Sequence, residues 1–243
     1  MRPLLTSVAA TVLIVTLACS RRAIQPAVKA PATTPAAIVE VSGGKQISTV
    51  GTPLDLPLVI QVNDAQGAAV VGASVSFRSA NGVAFQPDWG VTGADGQFTT
   101  AVTLGSQAGR YVIATTTTGA GGKPVELRTE ELALGFEQNQ GRQLSEVYCA
   151  RCHDPESTPE RVSNHDNLTA PPYAFSDGAY LNKMSDADLL AFIQHGGQAL
   201  GKSAEMPPYG HTLNKSGIAA LAAYIRAIAD PPYQPREIVY AQK

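Results

Sequence analysis

The sequence predicts a multidomain chain in which an all-β sandwich is followed by an all-α domain. Between residues 38 and 135, apolar residues alternate with polar ones at the period of a strand, and beyond about 136 the spacing becomes helical. All four histidines lie beyond residue 150. At 243 residues with 44% hydrophobic residues, the chain can bury two ordinary cores. A formal net charge of -2 gives no basic face of the kind that holds nucleic acid, so that partner class is excluded. The three cysteines are Cys19, Cys149 and Cys152, which leaves the sandwich with none, so disulfides do not hold the fold.

Residues 1–18 have the organisation of an export signal. Arg2 supplies a positive start, Leu4 to Ala18 is an uncharged apolar run, and small residues lead up to Cys19. The run is short for a bilayer span. Thr16-Leu17-Ala18-Cys19 resembles the lipobox of bacterial lipoproteins, with Thr16 where that family prefers Leu. The resemblance implies that Cys19 becomes the lipidated first residue of the mature chain, and Ser20 after it leans toward the outer membrane. The alternative is an ordinary cleaved signal with an incidental cysteine. Residues 19–37 continue as an Ala/Pro/Thr-rich segment without hydrophobic period, expected to be an extended tether.

Residues 38–135 read as short strands. Leu54, Leu56, Leu58, Ile60 and Val62 alternate with Asp55, Pro57, Val59 and Gln61. The pattern returns at Ala73, Val75 and Phe77, at Phe98 to Leu104, and at Tyr111 and Ile113. Asp64-Ala65-Gln66-Gly67 and Ala94-Asp95-Gly96 supply turns between them. Strands at this spacing imply a sandwich, and the order of strands and turns resembles the bacterial immunoglobulin-like domains of adhesins and exported proteins. With no histidine and no cluster of acids and bases, this module is expected to space or dock. The one tryptophan, Trp89, is expected to pack under a loop, or else to be a contact residue for a carbohydrate or protein.

The chemistry is concentrated in Cys149-Ala150-Arg151-Cys152-His153, which has the C-x-x-C-H form of c-type haem attachment. Two cysteines three apart reach the two vinyl groups of a porphyrin, and the adjacent His153 becomes the proximal iron ligand. A structural zinc site needs two more ligands, and His165, His195 and His211 occur singly rather than in zinc spacing. Those three are expected at the surface or at helix caps. A thioredoxin-like redox pair would need a βαβ context that is missing here. Haem attachment occurs outside the cytoplasm, so the motif and the export signal support one another.

For the sixth coordination position, Met184 and Met206 are available, since thioethers are common axial ligands of electron-transfer haem. Met206 is favoured because Glu205-Met206-Pro207-Pro208 is stiffened by two prolines, whereas Met184 sits where a hydrophobic staple against Leu189 is the natural use. Helices are expected from near Asn139 into the motif, with Leu144, Val147 and Tyr148 on one face, then from Ser185 to His195 with a stop at Gly196-Gly197. A last helix should run from near Asn214, with Ile218, Leu221, Ala222, Ile225 and Ala229 at helical spacing, to Asp230-Pro231-Pro232.

A haem motif after a first helix, a Met-Pro loop and a terminal helix together resemble class I cytochrome c, over residues 136–232, with 233–243 as a tail. The resemblance implies that Gly141 lets the first and last helices cross closely. It also implies that Tyr224 is the aromatic of the last helix, and that Pro171 or Pro172 sets a neighbouring carbonyl to orient His153. Ser145 stands where the family has an aromatic, and Pro171 lies far from His153, which implies an enlarged loop.

The expected function is that of a lipid-anchored carrier with one covalently bound haem c, passing single electrons between redox partner proteins outside the cytoplasm and not itself a catalyst. The haem is held by Cys149 and Cys152, its iron by His153 and Met206, and the anchor by Cys19. Residues 138–230 hold seven Lys and Arg against ten Asp and Glu, which suits a positively charged partner face. The alternatives are a peroxidase-like haem enzyme with an open sixth position, and an adhesin or scaffold with an accessory haem.

Overall fold

The computed structural model describes residues 33–235, except 157, 159 and 160. The expected signal peptide, Cys19 and all but the last residues of the tether lie outside the described residues, as does the chain beyond 235.

Nine strands build two facing sheets. They are β1 (Ala37–Ser42), β2 (Ile47–Thr49), β3 (Leu58–Asn63), β4 (Ser74–Ser79), β5 (Ala84–Gln86), β6 (Trp89–Val91), β7 (Gln97–Thr103), β8 (Gly109–Thr118) and β9 (Pro124–Leu134). One sheet has the order β1-β3-β7-β5 and the other β2-β9-β8-β4-β6, antiparallel throughout except where β2 runs parallel to β9. The period-2 pattern explains the packing: along β3, Leu58, Ile60 and Val62 are fully buried while Val59, Gln61 and Asn63 are half-exposed. Val75 and Phe77 of β4 and Tyr111 and Ile113 of β8 complete the core, where Phe77 stacks on Phe85 and Phe98 at 5.8 and 6.0 Å. Each fully buried Leu or Ile contributes about 1.5–3 kcal/mol relative to exposure.

Two sequence expectations are corrected here. The alternation that begins at Leu54 is not one strand: β3 starts only at Leu58, and Leu56 is 58% exposed because residues 55–57 turn outward ahead of it. Trp89 does not lie in a loop. It opens β6, pairing with Ser76, and is half-buried at the sheet edge.

Five helices follow: α1 (Phe136–Tyr148), α2 (Ala150–His153), α3 (Gly178–Leu181), α4 (Asp186–Ala199) and α5 (Lys215–Ile228). Gly135 alone separates β9 from α1, and the Gln138 side chain accepts from its N–H to cap the helix. The first helix therefore starts three residues before Asn139. Its buried residues are Gly141 and Ser145; of the expected face, Leu144 packs on the helical core while Val147 and Tyr148 are exposed. Val147 is 72% exposed, because α5 packs against the Gly141 side of α1 and leaves Val147 facing away. A Cβ on Gly141 would lie 1.9 Å from Ala220 O and 2.7 Å from Tyr224 Cβ, so the crossing of α1 and α5 admits only glycine. Ser145, where an aromatic was expected, is small enough for the same contact. Ser185 caps α4 through Asp188 N–H, and Asn214 caps α5 through Gly217 N–H.

The two domains are joined by more than the chain. Arg110 of β8 pairs with Glu130 and donates to Ala229 O, just past the end of α5, at 2.7 Å.

Candidate haem site

Cys149 ends α1, its N–H bonded to Ser145 O at 2.9 Å. The single turn α2 then closes through Cys152 N–H and His153 N–H, both donating to Cys149 O at 3.0 Å. One compact turn thus carries both thiols and the imidazole, and all three line a cavity of about 580 Å³, within the size range of pockets built for ligands, about 300–1,000 Å³. Its walls are mainly apolar, with Leu168, Phe175, Leu189, Phe192, Leu221 and Ile225 among them.

His153 Nδ1 donates to Tyr173 O at 3.0 Å, which fixes the tautomer and leaves Nε2 for a metal. Burial holds the imidazole below its ordinary pKa, against the opposing pull of that hydrogen bond, which favours the neutral form that ligates. Phe175 stacks on it at 4.3 Å. The carbonyl that orients His153 thus follows Pro172, and His165 Nε2 donates to Pro172 O at 2.8 Å. His165 therefore holds the enlarged loop in place, where sequence reasoning assigned it a surface or capping role. His195 and His211 are exposed.

Burial pushes the Cys149 thiol up to about 12, with Cys152 adding to the effect. Such a site disfavours a thiolate and suits sulfur in a neutral thioether. Cys149 and Cys152 are not joined to each other. Among the described residues, no three His, Cys, Asp or Glu converge to hold a bare metal ion. Paired thiols on one turn, a neutral imidazole beside them and a large apolar cavity in front fit a covalently attached haem.

Met206 lines the cavity from the loop between α4 and α5. Gly197 N–H donates to Met206 O at 3.0 Å, and Tyr209 N–H and Gly210 N–H bond back to Ile193 O and Gln194 O, each at 3.0 Å. The loop can lie this close because of Gly196, whose φ is +75° and where a Cβ would stand 2.7 Å from Met206 O. Met184 also lines the cavity, but it packs against the apolar cluster of Leu181, Leu189 and Ile225, and its carbonyl accepts from Arg226. Tyr209 is a further wall residue that the sequence reading did not single out. It donates to Tyr148 O at 2.8 Å, and burial pushes its hydroxyl up to about 12.

The helical region that carries this site matches a cytochrome c domain, which implies covalently bound haem c and suggests haem-based electron transfer, and it follows an immunoglobulin-like sandwich. Residues 136–225 match the family model described as cytochrome C oxidase, cbb3-type, subunit III. No curated protein matches the chain. Among solved structures, the D00-D0 domain of intimin is 13% identical over 41% of this chain and 48% of its own, with a TM-score of 0.30. The Yersinia pseudotuberculosis adhesin InvE is 13% identical over 40% and 32%, at 0.30. The Lin-41 filamin domain is 14% identical over 41% and 97%, at 0.27. This chain therefore spans about half of the intimin fragment and a third of InvE. Overlaps at these scores carry no functional weight, and the sandwich is defined by its own strand order.

Proposed function

We propose that the protein is a single-electron carrier of the cell envelope, anchored by a lipid on Cys19 and meeting redox proteins through its C-terminal domain. The observation that carries this reading is the convergence of Cys149, Cys152, His153 and Met206 on one apolar cavity. When bound, haem c supplies a one-electron couple between ferric and ferrous iron. The chain's own residues fix its setting. Cys149 and Cys152 would hold the ring, His153 is aimed by Tyr173 O, and the Met206 loop is held against α4. The apolar walls keep water away, and a soft sulfur at the sixth position favours the ferrous state. With His153 and Met206 both assigned to the iron, the site would pass electrons rather than turn over a substrate. The excess of acids over bases in residues 138–230 favours a partner with a positive face. The sandwich and tether set the domain off from the membrane, and Ser20 after the lipidated cysteine supports the outer membrane as its site.

The test is ligand binding at the sixth position. The ferric protein should show the weak absorption band near the red edge that reports a Met sulfur on iron, and the ferrous protein should bind carbon monoxide poorly. Met206→Ala should remove the band and admit carbon monoxide, while Met184→Ala should do neither. A wild type that binds carbon monoxide freely and turns over peroxide would replace the carrier reading with that of a haem enzyme. For the anchor, Cys19→Ser should release a soluble form, and unchanged partitioning into detergent would contradict lipidation.

A further inference from the structure

Two loops meet at the haem cavity. The loop preceding α3 contributes Leu168, Ala170 and Tyr173 to the wall, and Tyr173 O orients His153. The loop between α4 and α5 contributes Ser203, Glu205 and Met206. They are tied together by one carboxylate. Glu205 accepts Thr169 N–H on both oxygens, at 3.2 and 3.1 Å, and Thr169 Oγ1 at 3.3 Å. Ser203 Oγ donates to the same carboxylate at 3.2 Å and accepts Glu205 N–H at 3.2 Å, which locks the side chain's direction. Glu205 precedes Met206 directly, and Met206 O is held from the other side by Gly197 N–H at 3.0 Å. The backbone carrying the sulfur is thereby fixed at two points, one on α4 and one on the loop that serves His153.

We propose that Glu205 is a positioning residue for Met206, its carboxylate clasping the two loops together so that the sulfur stays at the sixth coordination position. This rests on the assignment of Met206 as axial ligand. Glu205 does not itself touch the iron: it limits how far the Met206 loop can swing away from Thr169. Without the clasp, the loop keeps only its α4 attachment and opens more often, admitting small ligands to the cavity. A glutamine retains a carbonyl oxygen that can accept Thr169 N–H, while an alanine retains nothing. The same contact can be broken from the other side, because Leu168 has the extended backbone (φ −82°, ψ 146°) that a following proline requires. Thr169→Pro therefore removes both the N–H and the hydroxyl donor and leaves the Glu205 side chain in place.

The experiment compares wild type, Glu205→Ala, Glu205→Gln, Thr169→Pro and Met206→Ala, all as haem-loaded full chains. It measures the rate of carbon monoxide binding to the ferrous form, the intensity of the red-edge ferric band, and hydrogen exchange at Gly197 N–H. Glu205→Ala should speed carbon monoxide binding and Gly197 exchange roughly tenfold, because it removes the acceptor of the Thr169 and Ser203 contacts but at an exposed position where water weakens each of them, and should weaken the band. Glu205→Gln should fall between it and wild type. Thr169→Pro should match Glu205→Ala, and combining the two should add nothing further. If Glu205→Ala leaves all three readouts at wild-type values while Met206→Ala opens the site, the clasp is refuted and the ligand assignment stands. If wild type already binds carbon monoxide as fast as Met206→Ala, the ligand assignment fails and the role given to Glu205 falls with it.

Discussion

The two cores of this chain differ in what fills them. In the sandwich, side chains from both sheets close the space by themselves: Leu58, Ile60, Val62, Val70 and Ile113 have no exposed surface at all. In the helical domain the cluster around Leu189, Ile193, Leu221 and Ile225 stops at the edge of a cavity of about 580 Å³, and the residues facing it include two thiols and an imidazole. The sandwich is complete as a polypeptide, whereas the helical domain is shaped around a group it must acquire. Stability in the first is a matter of packing, and in the second it is linked to the bound group, which favours the folded state by mass action and, once attached, covalently.

The comparison can be broken on either side, and the chain carries a reporter for each: Trp89, the one tryptophan, lies in the sandwich, and haem absorption reports the helical domain. The largest effect is expected at Gly141. Leucine there would drive a side chain into the backbone of α5, whose Ala220 O stands 1.9 Å from the Cβ position. The cost should exceed about 4 kcal/mol, in the range that marks a specific structural conflict. Denaturant titration should show the haem transition moving to much lower denaturant while the Trp89 transition shifts little. Equal shifts in both would mean that the two domains unfold as one unit.

A smaller effect is expected in the sandwich from Glu131. The side chain is 1% exposed on β9, with Oε2 accepting Gln46 N–H at 2.6 Å and Oε1 without a hydrogen-bond partner. Burial first, then the charges of Glu40 and Glu130, push its carboxyl up to about 7, against the lowering effect of the Gln46 and Lys45 backbone. Because the folded-state pKa lies above the unfolded value, the folded chain holds a proton that the unfolded chain has released. Stability of the sandwich should therefore fall as pH rises from about 4.5 to about 7 and level off above, by on the order of 3 kcal/mol. Glu131→Gln should flatten this slope in Trp89-monitored unfolding, and an unchanged slope would place its origin elsewhere.

The same contrast explains how much could be read from the sequence. Period-2 alternation located β4, β7 and β8, because in a sandwich one face of each strand is buried along its length. It overran at Leu56, where alternation continued through a segment that turns outward. In the helical part, Cys149-Ala150-Arg151-Cys152-His153 is a local motif and needs no tertiary knowledge, and Ser185 and Asn214 announce helix starts by their capping chemistry. What was not legible depends on pairs far apart in the chain. The contact of Glu205 with Thr169, the stacking of Phe175 on His153 and the hold of His165 on Pro172 O have no spacing rule that predicts them. On α1 the resemblance had placed Gly141 correctly at the crossing with α5, while hydrophobicity alone pointed to Val147, which is exposed.

The central claim, that the helical domain is built around one covalently held haem, is tested most directly by extraction. The purified protein should contain one haem per chain that acid-acetone cannot remove, and Cys149→Ala with Cys152→Ala should abolish that retention. Haem that is freely extracted from wild type, or a chain that acquires none, would contradict the account.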